Sequence, residues 1–258
     1  MTEDGGVDRL AAGNVLYRKP ALYDAMFAGG RRGAEVIALL VARYGPAGAS
    51  SVLDAGCGTG RDLADLAVLE PGLAGIGVDR QAGLVEYGRR VRPHLDLRVG
   101  DLRTMRLGRS FDVVLCVGNT AAYLHDDRAL VAAWETFAAH SGVGTLLVVQ
   151  TLLGVPATGP ARTAAVRAGG YAAEVTSGTE YDADSRIATT RRRWVFRDGR
   201  VAEDVIRRRV LLVDELWAGL GRVGFEPRLL SGDPAAPTAG TTTDDVPPVA
   251  YAVATWRG

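Results

Sequence analysis

Three glycines, Gly56, Gly58 and Gly60, stand on alternate positions directly after an apolar run that holds Asp54 and directly before a helical one. Backbone that bare can turn sharply, and it lets a ligand come closer than any side chain would permit. The stretch VLDAGCGTGRDLADLA therefore reads as strand, turn and helix, with a ligand site at the C-terminal end of the strand. Its D-x-G-x-G-x-G spacing differs from the G-x-G-x-x-G of dinucleotide-binding turns, and G-x-x-x-x-G-K-[ST] does not occur. Phosphate cradling is thereby disfavoured. Two further carboxylates close later apolar runs, Asp79 in GIGVD and Asp101 in RVGDLR. Each can accept hydrogen bonds from a neutral sugar or an amine, and each would repel a phosphate-rich ligand. Ile76, Leu102 and Val117 offer apolar surface able to sandwich a flat base. A plainer reading stands beside the first: Asp79 as the N-cap of a helix starting near Ala82, and Asp101 as a loop carboxylate.

The elements that must position these groups follow from hydrophobic periodicity. Residues 21–44 carry Leu22, Met26, Ile37, Leu40 and Val41 at near-helical spacing around Gly29-Gly30, which predicts two helices and a hinge, the first helix forming a lid. Strands over 51–55, 74–78, 95–99, 113–117 and 145–150 then alternate with helices over 59–69, 82–90 and 128–141. Strands separated by helices indicate an α/β doubly wound, parallel sheet. After Pro156 the pattern changes: residues 171–181, 187–196 and 201–212 alternate polar with apolar residues across the turn sequences DADS and RDGR, an antiparallel insert. The main fold resumes with a helix over 214–223 and the pair FEPRLLSG and PVAYAVATW, while GDPAAPTAGTTTDDVPP reads as a floppy loop. The expected division is an N-terminal helical lid over 1–48, an α/β core over 49–155 and 213–258, and the insert over 156–212.

Composition narrows the partners. The 258 residues carry 30 basic and 30 acidic side chains, so there is no basic field to hold nucleic acid or an anionic membrane nonspecifically. No apolar run approaches the roughly 20 residues that span a bilayer, and MTEDGGVDRL lacks the charged-then-apolar order of a secretory signal. A cytoplasmic location is expected, with neither nucleic acid nor membrane as partner. Cys57 and Cys116 lack CxxC spacing, and His94, His125 and His140 form no metal-like cluster with them, so no metal is expected. The arginines of TTRRRWVFRDGR and VIRRRV face acidic residues in neighbouring stretches and read as solvated strand faces with cross-strand ion pairs. Exposed strand edges of the insert could pair two copies into a homodimer.

With these residues in order, the chain resembles the class I S-adenosylmethionine-dependent methyltransferases, whose glycine motif is matched by Asp54, Gly56, Gly58 and Gly60. The resemblance continues through Asp79, the family's ribose-binding acid, and Asp101, which with Leu102 stands where the adenine is met; FDVVLCVGNTAAYL reads like the strand that ends at the cofactor's reactive end. It implies a Rossmann-like, mostly parallel seven-stranded sheet, S-adenosyl-L-methionine as cofactor, and cofactor contacts extending to Tyr17, Arg18, Cys57, Arg80, Val117 and Gly118. LYDAMF before the glycine motif and the insert behind the fifth strand are similar to glycine N-methyltransferases and to N,N-dimethyltransferases of antibiotic amino sugars. In those proteins the Tyr-Asp-x-x-Phe element, here Tyr23 to Phe27, lies over the cofactor and the insert roofs the acceptor.

The chemistry this implies is transfer of a methyl group to nitrogen or oxygen of a small molecule, in antibiotic biosynthesis or related metabolism. The methyl of that cofactor is already activated, so positioning a nucleophile in a dry pocket is the main requirement. An amine must be neutral when it attacks, and a hydroxyl gains from a residue that takes its proton. Tyr17, Tyr23, Tyr123, His125 and Gln150 are the candidates for acceptor contact, with His125, Tyr123 and Tyr23 as candidate catalytic residues. His125 could be a base with a pKa near operating pH, or an exposed residue opening the helix after it. Two other readings stay open: a noncatalytic S-adenosylmethionine or S-adenosylhomocysteine binder, and a nicotinamide oxidoreductase, for which Asp79 is suited but the glycine spacing is wrong.

Overall fold

Val52, Leu53 and Ala55 leave no polar face apart from Asp54, the pattern of a strand covered on both sides. In the computed structural model, which describes residues 13–27, 32–235 and 247–258, this run is β1 (Ser51–Ala55), a central strand of a seven-stranded sheet. Among the described residues, α1 (Val15–Arg18), α2 (Pro20–Met26) and α3 (Arg32–Tyr44) precede it. The sequence reading places its first helix from residue 21 onward and has no helix at α1; Pro20 separates the two, because proline has no N–H to continue α1 but is well placed to start α2. The expected hinge at Gly29-Gly30, the N-terminal decapeptide and most of the GDPAAPTAGTTTDDVPP loop lie outside the described residues.

After β1 come α4 (Arg61–Leu69), β2 (Ala74–Asp79), α5 (Ala82–Val91), β3 (Asp96–Val99), β4 (Phe111–Cys116), a 3₁₀ turn (Thr120–Tyr123), α6 (Asp127–Ala139) and β5 (Ser141–Leu152). A second sheet follows: β6 (Arg162–Ala168), β7 (Tyr171–Asp182), β8 (Ile187–Phe196) and β9 (Val201–Arg209), antiparallel and paired in chain order. The chain returns through α7 (Val213–Arg222), β10 (Phe225–Ser231) and β11 (Val249–Trp256). The large sheet has the order β10-β11-β5-β4-β1-β2-β3, parallel except where β11 runs against β5 and β10. The reading of a mostly parallel doubly wound sheet with an antiparallel insert holds. One strand escaped it. In β6, Arg-Thr-Ala-Ala-Val-Arg-Ala has no apolar alternation, and it is a strand because β7 supplies its hydrogen bonds from Arg162↔Ser177 to Ala168↔Tyr171.

Alternation along the strands sends Leu53, Val114 and Leu147 to a core shared with α6 and α7, and Val52, Val113, Leu115 and Val148 to one shared with α3, α4 and α5. A third core joins α1 and α2 to the insert: Val15, Leu16 and Leu22 pack with Val175, Trp194 and Phe196. α1 and α2, the part of the chain expected to form the lid, are therefore packed on the insert. Strand order reverses between β1 and β4, since β1 leads on to β2 on one side while β4 lies on the other, and the crevice beyond their C-terminal ends is the place where open α/β sheets take ligands. Among the described residues no helix is long and apolar enough to cross a membrane.

Candidate active site

A cleft opens at that crevice. Its floor is the end of β1 and the turn after it, Asp54, Gly56 and Cys57; one side is Asp79, Arg80, Gln81 and Leu84 from the end of β2 and start of α5. Asp101, Leu102 and Arg103 follow β3, and Val117, Gly118, Thr120, Tyr123, Leu124 and His125 follow β4. The lid contributes Asn14, Tyr17 and Tyr23, and β9 contributes Ile206 and Arg207.

The glycine turn is built by its neighbours as much as by any ligand. Gly56 has φ +104, and a Cβ there would lie 2.4 Å from Cγ2 of Thr120. A Cβ on Gly58 would meet the Tyr23 hydroxyl at 3.0 Å, and one on Gly60 would meet the Leu97 methyls at 2.8 and 2.9 Å. Only Gly56 of the three lines the cleft; Gly58 makes room for the lid tyrosine and Gly60 for β3. The expectation that all three clear a path for ligand is corrected accordingly. Asp79 ties the turn to the next helix: its Oδ2 accepts from Gly58 N at 2.9 Å and its Oδ1 from Gln81 N at 2.7 Å. The N-cap of α5 is Gln81, without a side-chain cap bond, so Asp79 is not that cap; its carboxylate shapes the turn before α5 while also facing the cleft.

Electrostatics marks the floor as short of positive charge. Burial pushes the carboxyl groups of Asp54, Asp62 and Asp79 up, and the charges of Asp62 and Asp79 add to the rise at Asp54. Asp54 is 1% exposed, and its Oδ1 has no hydrogen-bond partner within the chain. Asp101 differs: burial works to raise its pKa, but Arg103 holds it below the usual range, with Nη2 donating to Oδ2 at 2.7 Å and Nε to Oδ1 at 3.0 Å. Any ligand amine at Asp101 must share it with that guanidinium.

The wall opposite is aromatic. The rings of Tyr17 and Tyr23 lie 6.1 Å apart, and those of Tyr17 and Tyr123 lie 6.3 Å apart. Burial, then neighbouring phenols and carboxylates, raises the Tyr17 hydroxyl well above its ordinary pKa; burial and the Asp79 charge do the same to Tyr23. Both hydroxyls therefore keep their protons around neutral pH. His125 Nε2 lies 2.9 Å from the backbone oxygen of Arg207. A carbonyl only accepts, so Nε2 carries the proton and Nδ1 is left as the ring's acceptor. Burial lowers the His125 pKa, against the hydrogen bond to Arg207, so the imidazole is neutral at pH 7.

Residues 52–142 match the family described as a methyltransferase domain. The chain is 36% identical over 133 residues to the dTDP-3-amino-3,6-dideoxy-alpha-D-glucopyranose N,N-dimethyltransferase of Streptomyces fradiae, covering 50% of this chain and 51% of that protein. It is 34% identical over 102 residues to the dTDP-3-amino-3,4,6-trideoxy-alpha-D-glucopyranose N,N-dimethyltransferase of Streptomyces venezuelae, covering 40% and 42%. The matched part spans about half the length of these curated relatives or less. The fold superposes on Streptomyces venezuelae DesVI with a TM-score of 0.74 at 23% identity, covering 99% of both chains. On SAM-bound CalS10 of Micromonospora echinaspora, an amino pentose methyltransferase, the TM-score is 0.73 at 23% identity, covering 89% and 92%. Residues 52–142 thus carry the pattern of a methyltransferase domain, and the chain shares the fold of these solved methyltransferases.

The cleft fits S-adenosyl-L-methionine, the cofactor that the resemblance implies. The buried, unpartnered Asp54 oxygen and its carboxylate neighbours suit an ammonium, Asp79 keeps lone pairs for a ribose, and Leu84, Leu102 and Val78 supply apolar surface for a base. Of the cofactor contacts expected from sequence, Tyr17, Asp54, Gly56, Cys57, Asp79, Arg80, Asp101, Leu102, Val117 and Gly118 all line it. Arg18 does not: it follows Tyr17 on a helix, a rotation of roughly 100°, and its side chain is exposed. Ile76 packs against the core below the sheet. Gln150 is a support, its Oε1 accepting from Gly118 N at 2.9 Å and its Nε2 donating to the Tyr251 hydroxyl at 3.2 Å. His140 is buried structure, donating from Nδ1 to Thr136 O and accepting from Leu107 N. Sequence reasoning missed Asn14, Arg103, Thr120, Ile206 and Arg207. Arg103 and Thr120 sit within two residues of recognised positions and could have been found by adjacency, whereas the other three arrive only through packing of lid and insert.

Proposed function

We propose that the chain transfers a methyl group from S-adenosyl-L-methionine to the amino nitrogen of a small molecule, an amino sugar of the kind named for its relatives. The observation that carries this reading is the cleft at the β1/β4 switch, where a carboxylate floor with an unpartnered buried oxygen faces a wall of tyrosines. When bound, the cofactor supplies a methyl already activated for displacement. The chain's own residues do the rest. Asp54 and Asp79 neutralise and orient, while Tyr17, Tyr23 and Tyr123 exclude water and offer hydroxyls to the acceptor. His125 Nδ1 receives the proton that the nitrogen sheds on becoming methylated. Action in the cytoplasm agrees with the free thiols of Cys57 and Cys116. A homodimer through the exposed edge strand β6 remains part of the proposal.

Isothermal titration with S-adenosylhomocysteine, followed by mass spectrometry of a dTDP-amino sugar incubated with protein and cofactor, tests the reading. Binding and a mass gain of one or two methyl groups are expected; absence of any binding would end it. His125→Asn is expected to lower kcat about a hundredfold with the affinity for S-adenosylhomocysteine unchanged. Because burial lowers the His125 pKa, protonation removes the base only on the acid side of its ordinary value, so wild-type kcat falls there as pH drops. That acid limb should vanish in His125→Asn; identical profiles would assign the ring to structure alone.

A further inference from the structure

The segment carrying Tyr17 and Tyr23 is tied down at both ends by charged groups that the proposed chemistry does not use. At its start, Asp204 of β9, with no exposed side-chain surface, accepts from Val15 N at 2.7 Å. Arg192 of β8 donates to both Asp204 oxygens at 2.7 Å and passes Nη2 on to Asn14 Oδ1 at 2.8 Å. At its far end, Asp24 follows Tyr23 directly. Its Oδ1 accepts from the Thr59 hydroxyl at 2.6 Å, its Oδ2 accepts from Arg92 Nη2 at 3.1 Å, and Arg61 Nη2 stands 3.3 Å away. Thr59 belongs to the glycine turn, and Arg92 also reaches its backbone oxygen. One end of the segment is thus fastened to the strands that carry Ile206 and Arg207 over the cleft, and the other to the cofactor turn.

Asp204, with no exposed side-chain surface, would be costly as an unpaired charge, so that tie holds in one geometry or not at all, while Asp24 is half-buried among two guanidinium groups. Lid and insert also share one apolar core, with Leu16 and Leu22 against Trp194. Nothing else fastens the Tyr23 end to the turn by charge among the described residues. We propose that Asp24 and Asp204 are positioning residues: they stretch residues 14–26 across the cleft so that seating of the cofactor against the glycine turn also sets the β8–β9 roof over the acceptor. This rests on the methyltransferase reading for the identity of the ligand. It assigns no contact with substrate to either carboxylate.

The test is amide hydrogen exchange on the full chain with and without S-adenosylhomocysteine, together with its affinity. In the wild type, saturating ligand should slow exchange at residues 15–26 and in β8 and β9 about tenfold. Asp24→Asn should bind about tenfold more weakly, the scale of one charged hydrogen bond. At saturation it should still slow exchange in the glycine turn but no longer in β8 and β9, and Asp24→Glu should recover part of both. Wild-type affinity together with undiminished slowing of β8 and β9 in Asp24→Asn overturns the proposal. Asp204→Asn should lose the same transmission from the other end. Should it fail to fold, Arg192→Lys keeps a cation beside Asp204 but gives up the paired bonds to its two oxygens; slowing of α1 and β8 equal to wild type in that variant also overturns it. If the wild type does not bind S-adenosylhomocysteine, the methyltransferase reading falls by itself. The positioning role is then judged on the free protein, where Asp24→Asn should speed exchange over Pro20–Met26 about tenfold with β1 and β4 unchanged, and no acceleration would overturn it.

Discussion

Gly56→Ala is expected to abolish detectable binding of S-adenosylhomocysteine and to lower the thermal midpoint by about 5–15 °C, through a loss of roughly 2–5 kcal/mol. Two costs combine. The backbone at Gly56 has φ +104, where an L side chain is strained by about 1–2 kcal/mol. The new Cβ would also fall 2.4 Å from Thr120 Cγ2 and 2.5 Å from its Oγ1. Thr120 cannot swing aside freely, because its hydroxyl donates to Val117 O at 2.8 Å. Both residues line the cleft, so any accommodation moves the end of β4 relative to the end of β1. The double variant Gly56→Ala with Thr120→Gly separates the costs: it should recover the steric share and keep the backbone share. A single variant with wild-type midpoint and affinity would show that the turn yields easily and that glycine is not required there.

Asp79→Ala is expected to damage folding and binding at once. It leaves Gly58 N and Gln81 N without the oxygens that now lie 2.9 and 2.7 Å away, a loss of about 2–4 kcal/mol in stability. It also removes the carboxylate from the cleft, and affinity for S-adenosylhomocysteine should fall about 10- to 100-fold. Asp79→Asn keeps one acceptor oxygen and should be intermediate in stability. Calorimetric titration alongside thermal melting distinguishes the two roles: a melting shift with unchanged affinity would leave Asp79 as a turn-forming residue without ligand.

How much of this was legible beforehand depended on whether the determining interactions are local. The order strand, glycine turn, helix around Asp54 is dictated by neighbours a few residues apart, and it reads directly as β1, the turn and α4. The acids at the ends of later strands were visible for the same reason, since a period of apolar residues fixes where a strand stops. β6 was not, because its alanines and arginines carry no period and its hydrogen bonds come wholly from β7. Arg18 was misplaced because adjacency to Tyr17 in sequence is not adjacency on a helix.

The sequence alone therefore determined the sheet, the turn and the carboxylates that line its C-terminal edge, and with them the likeness to methyltransferase domains. Each of these is specified by short-range patterning of residue type. Tertiary structure decided what the glycines are for, packing Thr120, Tyr23 and Leu97 against Gly56, Gly58 and Gly60. It decided that Asp101 is already engaged by Arg103, that His125 spends Nε2 on a carbonyl of β9, and that lid and insert share one core. Those outcomes arise between segments as far apart as Asn14 and Arg192. Burial and hydrogen-bond geometry across such distances depend on the packing of whole elements, which no local pattern of residue types records.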